Sequence, residues 1–283
     1  MEEALYLENV TKKYHDYTLD HVSFSLPSGC IMGLIGENGA GKSTTIKAIT
    51  GAVRPDEGTI RVLGCDVKSP GFQQKKQEIG VVMDEACFPD ELTPGQVDRV
   101  MAGIYESWEK DTFYGWLDRF QLPQKKRFQE FSRGMKMKLS LAAALSHNAK
   151  LLLLDEATGG LYPMARDEIL DVFNDFTRQE DHSILISSHI VTDLEKICDY
   201  VTFLHHGKLL FCEEKDELLD GYGILRIGKS EFEAVCPEAV VAARKSEFGV
   251  EAVVKRSLLP GGMPVERAGI EEIIVAIAKE GRA

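Results

Sequence analysis

The sequence predicts an α/β protein: a parallel sheet with helices on both faces, a helical insertion, and a small C-terminal α+β unit. Three observations point there. The stretches "CIMGLI", "KLLLLDE" and "SILISSH" are almost wholly apolar over strand length, as strands buried on both faces of a parallel sheet must be. A helical pattern, "ARDEILDVFNDFTRQ", separates the last two and gives the strand–helix–strand order of a doubly wound sheet. Between the first strand and the next helix lies a glycine-studded loop, "GENGAGKS", and Gly51 closes the helix that follows it.

The elements follow in order. "ALYLENVTKKY" and "HVSFSL" alternate apolar and polar residues and predict strands with one exposed face. "GTIRVLG" and "EIGVVM" add two more strands. Residues 96–149 change character, with long amphipathic stretches such as "QVDRVMAGIYESWEK" and "FYGWLDRF" that predict a helical subdomain over about 85–150. The basic run "QKKRF" (124–128) reads as a solvated helix end. "YVTFLHHGKLLF" reads as a hairpin; His205-His206 before Gly207 resembles a metal pair, but a turn is the better reading. Beyond Gly221, "GILRIG" and "VEAVVKR" predict strands, and a final helix gathers Ile270, Ile273, Ile274 and Ile277 on one face. Its other face carries Glu271 and Glu272, which favours packing on protein over anionic lipid.

Composition narrows the function. At 283 residues the chain suits one large domain, or one with a small appendage. Its net charge of −12 argues against a nucleic-acid partner, since duplex affinity comes from neutralising phosphates. From Gly221 onward nine basic side chains balance nine acidic ones, so the excess lies upstream and predicts a boundary: 1–220 and 221–283. Six cysteines without a C-x-x-C pair fit reduced thiols in a cytoplasmic protein. "MEEALYLENV" is acidic and shows no secretory leader, and no apolar run nears the roughly 18 residues that span a bilayer. The chain is expected not to enter a membrane by itself.

The loop carries the chemistry. Gly36, Glu37, Asn38, Gly39, Ala40, Gly41, Lys42 and Ser43 match G-x-x-x-x-G-K-[ST]. Glycines let the backbone curl so that successive N–H groups line a concavity, and the helix start adds its positive dipole end. Lys42 is suited to β- and γ-phosphates, and the Ser43 hydroxyl to Mg²⁺. "LLLLDE" supplies a second half: Asp155 at the carboxyl edge of the sheet suits the metal, and Glu156 is placed to orient or deprotonate a water. Alone that pair is weak; joined to the phosphate loop it is strong. No guanine-reading N-K-x-D element is found.

"FSRGMKMKLSLAAAL" before the Asp155 strand and "ISSHI" ending the next one make the pattern specific. In order and spacing, residues 1–220 resemble the ATP-binding subunit of an ABC transporter, in a form similar to bacterial ABC-2-type single-domain ATPases. The resemblance implies an ABC-type P-loop NTPase core with a helical subdomain, using ATP and Mg²⁺. It implies nucleotide contacts from Gly36, Asn38, Gly39, Ala40, Gly41, Lys42, Ser43 and Thr44, and an adenine-stacking ring at Tyr14, with Tyr17 close enough to be confused with it. Ser43, Asp155 and Asp84 would serve the metal, and Lys42, Asp84, Glu156 and His189 the catalysis. Ser132, Arg133, Gly134 and Met135 match the signature loop, which acts on the ATP of a second subunit.

Two positions depart from the family pattern. Asp84 stands where the family has a glutamine, and an ionised carboxylate accepts hydrogen bonds but cannot donate them. Tyr162 stands where an acid contacts the partner across the dimer, so either inter-site coupling is altered or the ring simply packs there. The resemblance further implies a second ABC ATPase, identical or paralogous, and membrane permease subunits docked near Asp84 and the helical arm. The location it implies is cytoplasmic, on the inner face of the membrane. Two other readings stay open: a soluble ABC ATPase of an assembly or repair system, such as iron–sulfur cluster assembly, and a regulatory ATP-binding module with weak hydrolysis.

Overall fold

The computed structural model describes residues 2–84 and 88–280. Near the N-terminus, β1 (Glu3–Lys13) and β2 (Thr18–Pro27) pair antiparallel, then β3 (Ile31–Ile35) enters a second sheet and α1 (Lys42–Ile49) leaves it. β4 (Glu57–Val62) and β5 (Cys65–Asp66) complete an antiparallel sheet of order β2-β1-β4-β5. A single turn, α2 (Phe72–Lys75), then leads to β6 (Ile79–Val82). The half-exposed alternation read from the sequence is present along most of β2, whereas in β1 it slips at Ala4–Leu5, Glu8–Asn9 and Val10–Thr11, where the register against β2 shifts.

The central sheet adds β7 (Leu151–Asp155), β8 (Ser183–Ser188), β9 (Tyr200–His205) and β10 (Lys208–Glu214), in the order β10-β9-β3-β8-β7-β6. All neighbours are parallel except the β9–β10 hairpin. Every residue of β3, β7 and β8 is buried, the burial their apolar runs predict. On one face α1 and the antiparallel sheet pack Leu5, Val10, Ile46 and Ile49 against Leu34 and Leu153. On the other, Phe113, Phe128, Leu141 and Phe173 pack against Ile31, Leu152 and Ile184. A sheet covered on both sides presents its strand ends, and so Asp155, at one edge.

The helical arm consists of α3 (Pro94–Ile104), α4 (Lys110–Arg119) and α5 (Arg133–Ala144). "QVDRVMAGIYESWEK", read as one amphipathic stretch, is broken: Tyr105 is extended at ψ 121°. Tertiary partners override helical periodicity here. Tyr105 stacks on His147 at 3.7 Å, and Trp108 Nε1 donates to Asp98 at 2.9 Å. The basic run is not a helix end either: residues 124–127 lie exposed in a turn well past α4, and only Phe128 is buried.

α6 (Pro163–Phe176) and α7 (Val191–Ile197) return the chain between the parallel strands, and α8 (Lys215–Gly221) ends this part. Beyond it, β11 (Tyr222–Ile227), β12 (Val240–Lys245), β13 (Val250–Lys255) and β14 (Val265–Arg267) form an antiparallel sheet of order β12-β13-β11-β14, with the short α9 (Lys229–Phe232) between β11 and β12 in the chain. It has a small core of Leu225, Val235, Ala239, Ala252 and Val254. The last helix, α10 (Ile270–Glu280), buries Ile270, Ile273 and Ile274 in the main core with Leu194 and Ile197 of α7, and leaves Glu271 and Glu272 exposed. Five cysteines are free thiols; Cys87 lies outside the described residues.

Candidate functional site: a nucleotide cleft at the sheet edge

The phosphate loop runs from the end of β3 to the start of α1. Two of its glycines are demanded by close packing. Gly41 has φ 113°, and a Cβ there would sit 2.1 Å from the Tyr17 hydroxyl; one at Gly36 would sit 2.6 Å from the Leu204 carbonyl oxygen. The loop is anchored through its carbonyls. Ala40 accepts from the Tyr17 hydroxyl at 3.0 Å and from the Gly207 N–H at 3.2 Å. Gly36 accepts from Lys42 Nζ at 2.7 Å, with Glu37 a longer acceptor at 3.4 Å. Burial, with a smaller push from Tyr14, raises the Tyr17 phenol to about 12, so Tyr17 stays a neutral donor.

A cleft of about 360 Å³ opens over this loop. It brings Asn38, Gly39, Gly41, Lys42, Ser43 and Thr44 together with Asp84, Asp155 and Glu156. Gly36 and Ala40 lie behind these and shape the loop. Tyr17 lines the cleft too, whereas Tyr14 stands beside it, 45% exposed, its ring 6.3 Å from that of Tyr17.

The acidic pair is set by two strand ends. Asp155, 3% exposed, faces Ser187 across the β7–β8 ladder, and the Ser187 hydroxyl donates to Asp155 Oδ1 at 2.6 Å. The Glu156 N–H then donates to Ser187 Oγ and to the Ser187 carbonyl, each at 3.1 Å. Glu156 has φ 53°, a left-handed conformation that costs a glutamate energy and that these bonds hold in place. Its carboxylate lies between two cationic or titratable partners: Lys42 Nζ at 3.5 Å and His189 Nδ1 at 2.6 Å. Ser187 escaped the sequence reading; its signal was the serine pair preceding His189 in "ISSHI".

One of the two departures from the family pattern, Asp84, has a partner in the signature stretch. Arg133 Nη2 of the signature stretch meets Asp84 Oδ1 at 2.5 Å. Arg133 also lies over the turn after Glu156, where a Cβ on Gly160 would be 3.2 Å from its side chain. One guanidinium thus pairs with Asp84 and lies close over the 159–160 turn. Ser132 caps α5, its hydroxyl accepting from the Met135 N–H at 3.3 Å, while Gly134 faces Leu161. Tyr162 is 86% exposed, next to Met164 at 88%. The structure therefore gathers Lys42, Ser43, Asp84, Asp155, Glu156 and His189 around one cleft. Ser132, Gly134 and Tyr162 make no hydrogen bond or ion pair with those side chains among the described residues.

A loop that cradles phosphates, followed by a strand-end carboxylate pair and a helical arm carrying a signature turn, defines a P-loop nucleotide hydrolase. Residues 19–159 match the family model described as "ABC transporter". The bacitracin transport ATP-binding protein BcrA of Enterococcus faecalis is 32% identical over 213 residues, covering 74% of this chain and 69% of that one. The lantibiotic transport ATP-binding protein SrtF of Streptococcus pyogenes is 34% identical over 218 residues, covering 75% and 91%. Among solved structures, an ATP-binding subunit of an ABC transporter superposes with a TM-score of 0.69 at 27% identity, over 76% of this chain and 91% of that one. A dimeric ATP-binding cassette bound to ADP and phosphate shares the fold, with a TM-score of 0.67 at 19% identity over 74% and 98%. The chain belongs to the ABC transporter ATP-binding family: it is an ATP-binding, ATP-hydrolysing subunit of an ABC transporter. Among the described residues no helix is long and apolar enough to cross a membrane.

Proposed function

We propose that two such subunits, either two copies of this chain or one with a paralogue, close head to tail around two ATP molecules. Each site would take Lys42, Ser43, Asp155, Glu156 and His189 from one chain and Ser132 and Gly134 from the other. The exposure of Tyr162 and Met164 supports a partner on that face. Phosphates would lie on the loop from Gly36 to Thr44, and adenine on the exposed Tyr14 ring. Glu156 carries the reading, because its carboxylate stands beside Lys42 and His189 at the cleft floor. As general base it would take a proton from water while the water oxygen bonds to the γ-phosphorus; the bond to the β–γ bridging oxygen breaks, and ADP leaves. Lys42 would balance charge developing on the phosphoryl oxygens, and His189 would sense the γ-phosphate.

The donor set fits Mg²⁺. Ser43, Asp155 and Asp84 offer hard oxygens in one cleft, and Asp155 is already oriented by Ser187. When bound, the ion neutralises phosphate charge.

Transport would proceed through separate membrane permease subunits, which would hold this chain on the cytoplasmic side. A groove of about 490 Å³ beside Met83 and Tyr105, lined also by Val53, Ile79 and Val81, supports docking next to Asp84 and the arm. Peptide antibiotics are the cargo class we favour, as the relatives' names refer to bacitracin and lantibiotics. Residues 1–220 would form the ATPase unit and 221–283 an accessory unit, a division the separate C-terminal core supports.

The test is ATP turnover and ATP-dependent dimerisation of wild type and Glu156→Gln. The variant is expected to lose turnover by about a hundredfold or more and to accumulate as a nucleotide-loaded dimer. Wild-type turnover in Glu156→Gln would remove the assignment.

A further inference from the structure

We propose that Glu37, His205 and His206 form a binding site for a divalent transition metal of the zinc class, beside the phosphate loop and built from residues other than the Mg²⁺ ligands. One ligand atom from each of the three lies within 4.8 Å of the other two. The pair of histidines ends β9 and enters the turn to β10, while Glu37 is the second residue of the phosphate loop.

The backbone fixes this meeting. His206 and Gly207 both take positive φ, 47° and 80°, so the turn has one tight course. A Cβ on Gly207 would fall 1.9 Å from the Thr18 carbonyl oxygen, which shows how closely the turn is seated. The Gly207 N–H donates to the Ala40 carbonyl at 3.2 Å, and the Gly207 carbonyl accepts from the Asp20 N–H at 2.8 Å. The turn and the phosphate loop are thereby stitched together. Within that frame the two imidazole centroids are 4.1 Å apart at 57°. His205 is buried at 8% exposure, and His206 and Glu37 are exposed. One ligand is held rigidly, and the other two are free to rotate onto an ion.

The donor chemistry selects the metal class. Two imidazole nitrogens and one carboxylate suit Zn²⁺, Co²⁺ or Ni²⁺, whereas Mg²⁺ and Ca²⁺ require more oxygen ligands. A tetrahedral site with bonds of about 2.1 Å sets its ligand atoms about 3.4 Å apart, a closure within reach of side-chain rotation at Glu37 and His206. Water completes the coordination. The consequence lies in charge: Glu37 places a carboxylate on the loop that receives a polyphosphate, and a dication bound there removes that repulsion. Metal and nucleotide therefore bind with positive, reciprocal coupling.

The test titrates Co²⁺ into the untagged full-length chain and follows the visible absorption of four- or five-coordinate cobalt. Binding of one ion per chain is expected, weakened at least about tenfold by His206→Asn, since asparagine keeps the left-handed turn and loses the imidazole. Zn²⁺ is expected to tighten a fluorescent nucleotide about fivefold in wild type and not in His206→Asn, whose metal-free affinity stays that of wild type. Absence of the cobalt spectrum, or equal cobalt affinity in His206→Asn, would overturn the site. Cobalt binding that depends on His206 without any shift in nucleotide affinity would overturn the coupling. Loss of ATP turnover in Glu156→Gln tests the hydrolytic reading separately, so the two failures are distinguishable.

Discussion

The two halves of this region, the floor of the cleft and the surface beside it, are built by different means. Lys42, Asp155 and Ser187 sit at the ends of buried strands and the start of α1, almost fully shielded, each held by short bonds inside one chain. Asp84, Arg133, Ser132 and Tyr162 sit on turns and helix starts, and Asp84 and Arg133 are about half exposed, at 45% and 58%. The first half is preorganised, so its geometry does not depend on any partner. The second holds its polar groups in contacts that water already weakens, and such contacts exchange readily for new ones. The contrast suits the proposed composite site: one rigid bed and one surface able to change partners.

Damage to the rigid half is expected to be the most severe. Lys42→Ala removes a charge from a site where no other lysine or arginine lines the cleft among the described residues, and turnover is expected to fall by about a hundredfold or more. Asp155→Asn should approach that loss while the protein still folds, because asparagine retains an acceptor for the Ser187 hydroxyl. Initial rates and thermal melting on the same preparations would check both. A Lys42→Ala protein that turns over normally would mean the cleft is not the reacting site.

In the exposed half, the Asp84–Arg133 pair gives the next effect. Being half-exposed, it contributes no more than about 1 kcal/mol to stability, so Arg133→Ala should melt like wild type. Turnover is a different matter, since the guanidinium ties the Asp84 segment to the 159–160 turn beside Glu156. Arg133→Ala and Asp84→Gln are each expected to change turnover about tenfold, with an altered Mg²⁺ dependence for Asp84→Gln. The double variant should show less than the product of the two effects, as contacting residues do. Independent, multiplicative effects would show that the contact has no catalytic meaning. Tyr162→Ala is expected to act more weakly still, loosening the ATP-dependent dimer about threefold with little effect on the monomer's stability; analytical ultracentrifugation with ATP would measure it.

The contrast also marks what was legible in the sequence. The rigid half is encoded locally: an apolar strand, six loop residues and a helix start are contiguous, and β7 ends in its own acid. Its geometry follows from backbone rules, so Lys42, Ser43, Asp155 and Glu156 were readable by position. The other half depends on contacts between distant segments. Asp84 was visible as a departure and Arg133 as part of the signature stretch, but 49 positions separate them, and no periodicity reveals that one neutralises the other. Ser187 was hidden for the same reason, because only the β7–β8 register sets it opposite Asp155. The break at Tyr105 was illegible because the amphipathic pattern continues across it, while the ring of His147 that holds it out lies far along the chain.

That break gives the smallest predicted effect, and it sharpens the comparison between the two halves. His147 is fully buried under Tyr105, with Nδ1 3.2 Å from the Ala143 carbonyl and Nε2 3.2 Å from the Ile79 carbonyl. Burial pulls its pKa below the ordinary 6.5, outweighing the two carbonyls, which pull the other way. His182 is lowered likewise, chiefly by burial, against the raising influence of Asp181. A histidine whose folded pKa is depressed binds fewer protons folded than unfolded, so stability is constant above about pH 6.5 and declines as pH falls from there towards the folded pKa. His147 joins the base of the arm to the start of β6, so the acid sensitivity it confers falls on the arm. Acid should therefore loosen the arm before the loop. Hydrogen exchange at pH 5.5 against pH 7.5 is expected to deprotect α3 and the 105–109 segment more than α1. His147→Gln, which keeps one donor and one acceptor, is expected to reduce that difference. Equal loss of protection in α1 and the arm would show that the two halves respond to acid as one unit.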